Sequence, residues 1–344
     1  MTETPGRNDA FAWREEARTI AIAFGYFTRL PMPPGIVFTE ARLARSGRYF
    51  PLVGAVVGAM GALVFAVGSH FWPVPIAVLL SMATTLLATG ALHEDGLADC
   101  CDAFGGGYRR ADVLRILKDS RIGVFGGIGL IITLALKWQA LVGLAAWGPG
   151  VVCAWMIAAH AASRAGAIVF TATLDYARAA VDAQSGGFGA PRAAGAADAV
   201  DGSVGPSVHT AAFSASVAQP PETLSPSDVD LTNVGTPSRP QEDDTVPTSI
   251  DAKAGPFQRR QQSDARGNAA RNGAAIALLL GLPGLFWHSV PLGATLVIAG
   301  ALLYWSLGRW WQRRIGGYTG DCLGLAQQLF EVGIYLMVLG WISS

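Results

Sequence analysis

Apolar blocks and short charged segments alternate along most of this chain, and the block lengths point to a membrane. Blocks of about 18 to 24 residues with almost no charge are long enough for a helix to cross the bilayer core. They fall at about 50–70, 73–92, 124–147, 151–171, 273–288, 290–308 and 323–343. This pattern predicts an all-α fold, a polytopic transmembrane helical bundle of about seven spans. The block at 273–288 is short and holds Pro283, and Lys137 interrupts another; such residues mark spans that break, or that tilt around a cavity. Residues 17–36, with Phe27-Thr28-Arg29-Leu30-Pro31-Met32-Pro33, are too interrupted to span and read as an interfacial amphipathic or re-entrant segment.

The charged segments between blocks give an orientation. Arg42, Arg45 and Arg48 precede the first span. Arg109, Arg110, Arg115, Lys118 and Arg121 follow the second, and Arg309, Arg313 and Arg314 follow the sixth. The alternate connections, 70–74, 148–150 and 287–291, carry no Lys or Arg. Basic loops collect on the cytoplasmic side, so these loops, and the N-terminus with them, are expected there. Between about 182 and 272 the composition turns to Ser, Pro, Gly, Ala, Asp, Thr and Gln without periodicity, which predicts a disordered cytoplasmic loop. The expected organisation is therefore a membrane part at 1–181 carrying an acidic motif, the loop at 182–272, and a membrane part at 273–344 that completes the site.

Composition supports the membrane reading. Hydrophobic residues make up 51% and charged residues 15% of the chain, where a soluble domain would carry about a quarter charged residues. The formal net charge of +0 gives no footprint for nucleic acid. Cys100, Cys101, Cys153 and Cys322 lack the CxxC spacing of zinc sites and suggest no secreted disulfide scaffold, so they read as structural. No signal-peptide pattern occurs near Arg14, Glu15, Glu16 and Arg18.

The densest chemical signal is His93-Glu94-Asp95-Gly96-Leu97-Ala98-Asp99-Cys100-Cys101-Asp102. On a helix Asp95, Asp99 and Asp102 fall within about 60° of one another, and His93 points away. Three carboxylates on one face repel unless a cation lies between them, and hard oxygen ligands suit Mg²⁺ or Mn²⁺ shared with substrate phosphates. A plain solvated helix end is the bland alternative, but helix-interior Asp and Gly96 are both unfavourable there. After the glycine run 105–107 comes Arg115-Ile116-Leu117-Lys118-Asp119-Ser120-Arg121-Ile122-Gly123. Its Lys118 and Arg121 suit phosphoryl oxygens, their topological role being the alternative. Near the other end, Gly316-Gly317-Tyr318-Thr319-Gly320-Asp321 lies on the same expected face, with Glu331 inside the last span. An ionisable residue within a span is usually functional, or else paired with Arg or Lys. Asp321 and Glu331 would be about 80° and about 15 Å apart on a straight helix, too far for one metal.

Together these stretches resemble the cobalamin synthase (adenosylcobinamide-GDP ribazoletransferase) family. The resemblance rests on Phe27 to Pro33, Phe50-Pro51-Leu52-Val53-Gly54, His93 to Asp102, Lys118 to Gly123, Ser163-Arg164, and Gly317-Thr319-Gly320-Asp321 with Glu331. It implies an inner-membrane, Mg²⁺-dependent transferase that joins α-ribazole to adenosylcobinamide-GDP and releases GMP. It assigns the metal to Asp95, Asp99 and Asp102, with one of them or Asp321 as general base. Lys118, Arg121, Arg29 and Arg164 would steady the phosphates, and Glu331 would line the substrate pocket. Competing readings are a membrane alcohol phosphotransferase, whose full DGxxAR...GxxxDxxxD pattern is not present, and an ion-coupled transporter, whose acids would sit at midplane instead of clustering at one face.

Overall fold

The computed structural model describes residues 5–36, 40–177 and 290–344. These form helices α1 (Pro5–Phe27), α2 (Glu40–Ser46), α3 (Phe50–Gly68), α4 (Val74–Thr89), α5 (Leu92–Gly106), α6 (Arg110–Ile116), α7 (Val124–Leu144), α8 (Pro149–Thr173), α9 (Val290–Ile315) and α10 (Gly320–Ser343). Among the described residues five helices are long and apolar enough to cross a membrane: α3, α7, α8, α9 and α10. They match five of the blocks read from the sequence. The block at 273–288 and the segment 182–272 lie outside the described residues.

The block at 73–92 is not one straight helix. It breaks after Thr89, and α4 meets α5 at 88°. Gly90 and Ala91 are both left-handed, at φ 66° and 58°. The N–H of Ala91 reaches back to the Leu86 carbonyl at 2.9 Å and that of Gly90 to Leu87 at 3.3 Å, a Schellman closure of the helix end. The Arg29 N–H takes the Ala88 carbonyl at 2.8 Å, and the Arg29 side chain lies where a Cβ on Gly90 would be. Left-handed backbone costs an alanine about 1–2 kcal/mol, so the corner is held by these contacts and not by the propensity of Ala91.

In lipid, helices gain little from hiding apolar side chains from one another, and close backbone approach does more. Two glycine seams supply it. On α3, a Cβ on Gly54 would strike the His160 carbonyl, one on Gly58 would lie 2.7 Å from the Met156 carbonyl, and one on Gly61 would lie 2.8 Å from the Met156 methyl; α3 therefore packs backbone to backbone on α8. On α5, a Cβ on Gly96 would lie 2.8 Å from the Asp321 carbonyl, and one on Gly324 of α10 would lie 3.0 Å from the His93 carbonyl. The apolar stretches of α8 and α10 are 67% and 61% buried against 22% in both α7 and α9, so α8 and α10 form the axis of the described bundle. Trp155, Met156, Leu141, Leu144 and Tyr335 fill one part of the core, and Phe170, Trp311, Ile315 and Cys322 another.

Helix α1 is not long and apolar enough to count as a span. Ile22 and Ala23 are fully buried, and Ala23 packs with Val53 and Val57 of α3. Its polar side is tied down through Glu16, which accepts from Tyr49 Oη at 2.6 Å and from the Arg48 guanidinium.

Candidate active site

The Gly96–Gly324 seam brings together the two acidic segments that lie far apart in sequence. Asp95 is exposed on α5, Asp99 is half-buried one turn on, and Asp321 is half-buried in the first turn of α10, its backbone against Gly96. Thr319 caps α10, its hydroxyl accepting from the Cys322 N–H at 3.4 Å, and also lies 3.3 Å from Asp321 Oδ2. His93 and Glu94 are buried on the opposite side of α5, as the helical spacing requires.

Asp102 shares the acidic face but is engaged differently. Its Oδ2 accepts from the Gly123 N–H at 2.7 Å and its Oδ1 from the Gly126 N–H at 2.9 Å. The carboxylate thus caps the N-terminus of α7 and ties the loop of Lys118 and Arg121 to α5. Lys118 is exposed. Arg121 is 86% exposed and grips Asp119 with two nitrogens, at 3.0 and 2.7 Å. That guanidinium, with the Arg121 backbone N–H, holds the Asp119 carboxyl down at about 2.

Other basic groups gather at the same end. The guanidinium of Arg314 donates to the Gly107 carbonyl at 2.5 Å and lies over the Phe104 ring. Arg110 donates to the Ala177 carbonyl at 3.4 Å. Arg29 is exposed at the α4–α5 corner. The segment Arg109–Arg121 and the last turns of α9, with Arg309–Arg314, therefore meet at one end of the bundle, as the charge pattern predicts.

Arg164 and Glu331 lie elsewhere, in a buried network between α5, α7, α8 and α10. Glu331 is fully buried. Its Oε1 lies 2.5 Å from Lys137 Nζ and accepts from Tyr335 Oη at 3.3 Å, while Oε2 accepts from Gln327 Nε2 at 2.6 Å. His160 Nε2 is 3.2 Å from Oε1 but lacks the angle of a hydrogen bond. Gln328 donates to Glu94 Oε1 at 2.9 Å and to Gln327 Oε1 at 2.8 Å, and Gln327 donates to Ser163 at 3.0 Å. Arg164 donates to the His160 carbonyl at 3.0 Å. Both oxygens of Glu331 are thus engaged within the protein, and Arg164 is buried away from the exposed carboxylates. Sequence reasoning singled out Lys137 and Glu331 separately without joining them; the signal was two opposite charges in two apolar spans, which rarely stay apart.

Among the described residues no three Asp, Glu, His or Cys side chains converge to hold a metal ion. Asp95 and Asp99, one turn apart on α5, are of the type that suits a hard cation taking one or two carboxylates and filling its remaining positions with phosphate oxygens and water, as Mg²⁺ does. They do not resemble a closed all-protein cage.

The family model for cobalamin-5-phosphate synthase matches residues 19–215 and 252–339, which include every residue named above as a site candidate. The chain is 39% identical over 334 residues to the adenosylcobinamide-GDP ribazoletransferase of Ralstonia nicotianae, covering 97% of this chain and 99% of that one. It is 38% identical over 336 residues to the enzyme of that name from Ralstonia pickettii, with 97% and 99% covered. With the one from Shewanella oneidensis it shares 47% identity over 164 residues, 47% of this chain and 63% of that protein. No solved structure matches. A model match over most of the chain and relatives aligned nearly end to end lead to one conclusion: this chain belongs to the cobalamin-5-phosphate synthase family.

Proposed function

We propose that this chain transfers the adenosylcobinamide phosphate moiety of adenosylcobinamide-GDP to α-ribazole or its 5′-phosphate, forming adenosylcobalamin or its 5′-phosphate in the last stage of cobalamin biosynthesis. Family membership and the names of its relatives support this class of reaction over lipid phosphotransfer or transport. The observation that carries the reading is the packing of the Asp321 backbone on Gly96, which sets the first turn of α10 against the helix of Asp95 and Asp99, with the Lys118–Gly123 loop tied to the same helix through Asp102.

The ribazole hydroxyl oxygen forms a bond to the cobinamide-linked phosphorus as the bond from that phosphorus to the bridging oxygen breaks. GMP leaves with the bridging oxygen. The hydroxyl proton passes to a carboxylate at the α5–α10 contact, where Asp99 and Asp321 are the candidates. Asp95 and Asp99 would hold Mg²⁺, which would supply neutralisation of the diphosphate. Lys118 and Arg121, with Arg29 at the corner, meet the remaining phosphate charge, so catalysis is mostly alignment and electrostatics. The basic loops put this face toward the cytoplasm of a cell with the protein in its inner membrane. Residues 216–251, which the family model passes over, take no part.

The test is GMP release by the purified protein in lipid nanodiscs, given adenosylcobinamide-GDP and α-ribazole with and without Mg²⁺. GMP that appears only when both substrates and the cation are present is the expected result. A folded protein that releases none, under any of these conditions, would rule the activity out.

A further inference from the structure

Helix α7 begins without a capping residue of its own. Its N-cap is Gly123, preceded by Ile122 and followed by Val124 and Phe125, so nothing local satisfies the N–H groups that the first turn of a helix leaves open. Asp102, 21 residues earlier and on another helix, does so with both oxygens, at 2.7 and 2.9 Å. A negative charge there also opposes the positive end of the helix dipole. The fit depends on glycine: a Cβ on Gly123 or on Gly126 would run into the Asp102 carboxylate, and one on Gly126 would also lie 2.9 Å from the Ala98 carbonyl. A third glycine continues the seam, since a Cβ on Gly129 would lie 2.6 Å from Cys101 Sγ.

We propose that Asp102 is a positioning residue that clamps the first turn of α7, and with it the Lys118–Gly123 loop, onto α5 beside Asp99. Only a short connection, from Leu117 to Gly123, joins α6 to α7, so fixing its end at Gly123 fixes where Lys118 and Arg121 stand relative to the acidic face. This assigns Asp102 a different task from Asp95 and Asp99, with which it shares a helix face. The role in turnover rests on the proposed transferase reading; the clamp itself does not.

The experiment uses the full-length protein in nanodiscs, with amide hydrogen exchange over residues 118–130 and transfer kinetics on the same samples. Asp102→Asn and Gly126→Ala are expected to speed exchange at Gly123–Gly126 alike, and the double variant to be no worse than either alone. Both are expected to lower kcat/KM by about 10–100-fold, the scale of a small misplacement of a substrate-orienting group. The Mg²⁺ concentration for half-maximal rate is expected to stay at the wild-type value in both and to rise in Asp95→Asn. A further variant separates the clamp from a simple cap: Gly123→Ser in an Asp102→Ala background gives α7 its own N-cap. Exchange protection is expected to return while kcat/KM stays low. Recovery of kcat/KM in that variant, or unchanged exchange with a raised Mg²⁺ requirement in Asp102→Asn, would overturn the proposal. The exchange arm needs no turnover, so it tests the clamp even if the wild-type protein transfers nothing.

Discussion

Asp95 and Glu331 are both carboxylates on helices that cross at the Gly96–Gly324 seam, yet one is exposed and the other has 0% of its surface open. Glu331 is held by Lys137, Gln327 and Tyr335, and Glu94 in the same buried region accepts from Gln328. A charge taken out of water needs every partner it can find. Asp95, exposed to solvent, is under no such constraint. Burial separates a scaffold made of ionisable groups from a site made of the same groups, and residue type alone does not.

The comparison breaks most visibly if the buried pair is split. Lys137→Met leaves Glu331 charged and short of its cation, and removing one member of a buried pair costs about 3–5 kcal/mol. The expected outcome is a large drop in the midpoint of unfolding in detergent, most of it restored in Lys137→Met with Glu331→Gln. A single variant as stable as the parent would mean that the pair does not hold the bundle. The exposed side should behave in the opposite way. Asp95→Asn and Asp99→Asn are expected to lower kcat by about 10²–10³-fold, as loss of a group that meets developing charge does, with unfolding moved by no more than about 0.5 kcal/mol in the exposed Asp95→Asn. Their combination should cost less than the product of the two, because the groups act as a unit. The smallest effect belongs to Asp119, outside both regions. Its folded pKa is depressed from 3.8 to about 2, so whatever it contributes is fully present above 3.8 and lost only as pH falls through about 2. Asp119→Asn should therefore lower the unfolding midpoint slightly and by the same amount at every pH from 5 to 8, the difference from the parent closing only as pH falls through about 2.

The spans and the acidic face were legible because each is a local pattern, a run of apolar residues in one case and the 95, 99, 102 spacing in the other. The corner at Gly90 was not. Alanine is the best helix former, and the left-handed turn at Ala91 depends on Arg29 arriving from some 60 residues earlier. Hydropathy reads through such a break. Spacing likewise put Asp102 with its neighbours, and it carries no information about a second helix docking on one of the three. The missing cap at the start of α7 was the sign available. Lys137 and Glu331 each stood out within an apolar block, but a window slid along the chain weighs them singly and cannot match them.

The pairing of Lys137 with Glu331 also sets a timetable for biosynthesis. Glu331 is made about 190 residues after Lys137, a delay of roughly 10–40 s at synthesis rates of about 5–20 residues per second. Through that interval Lys137 lacks the carboxylate it meets in the finished fold. The last helix to be made thus completes a contact whose other half is already in place.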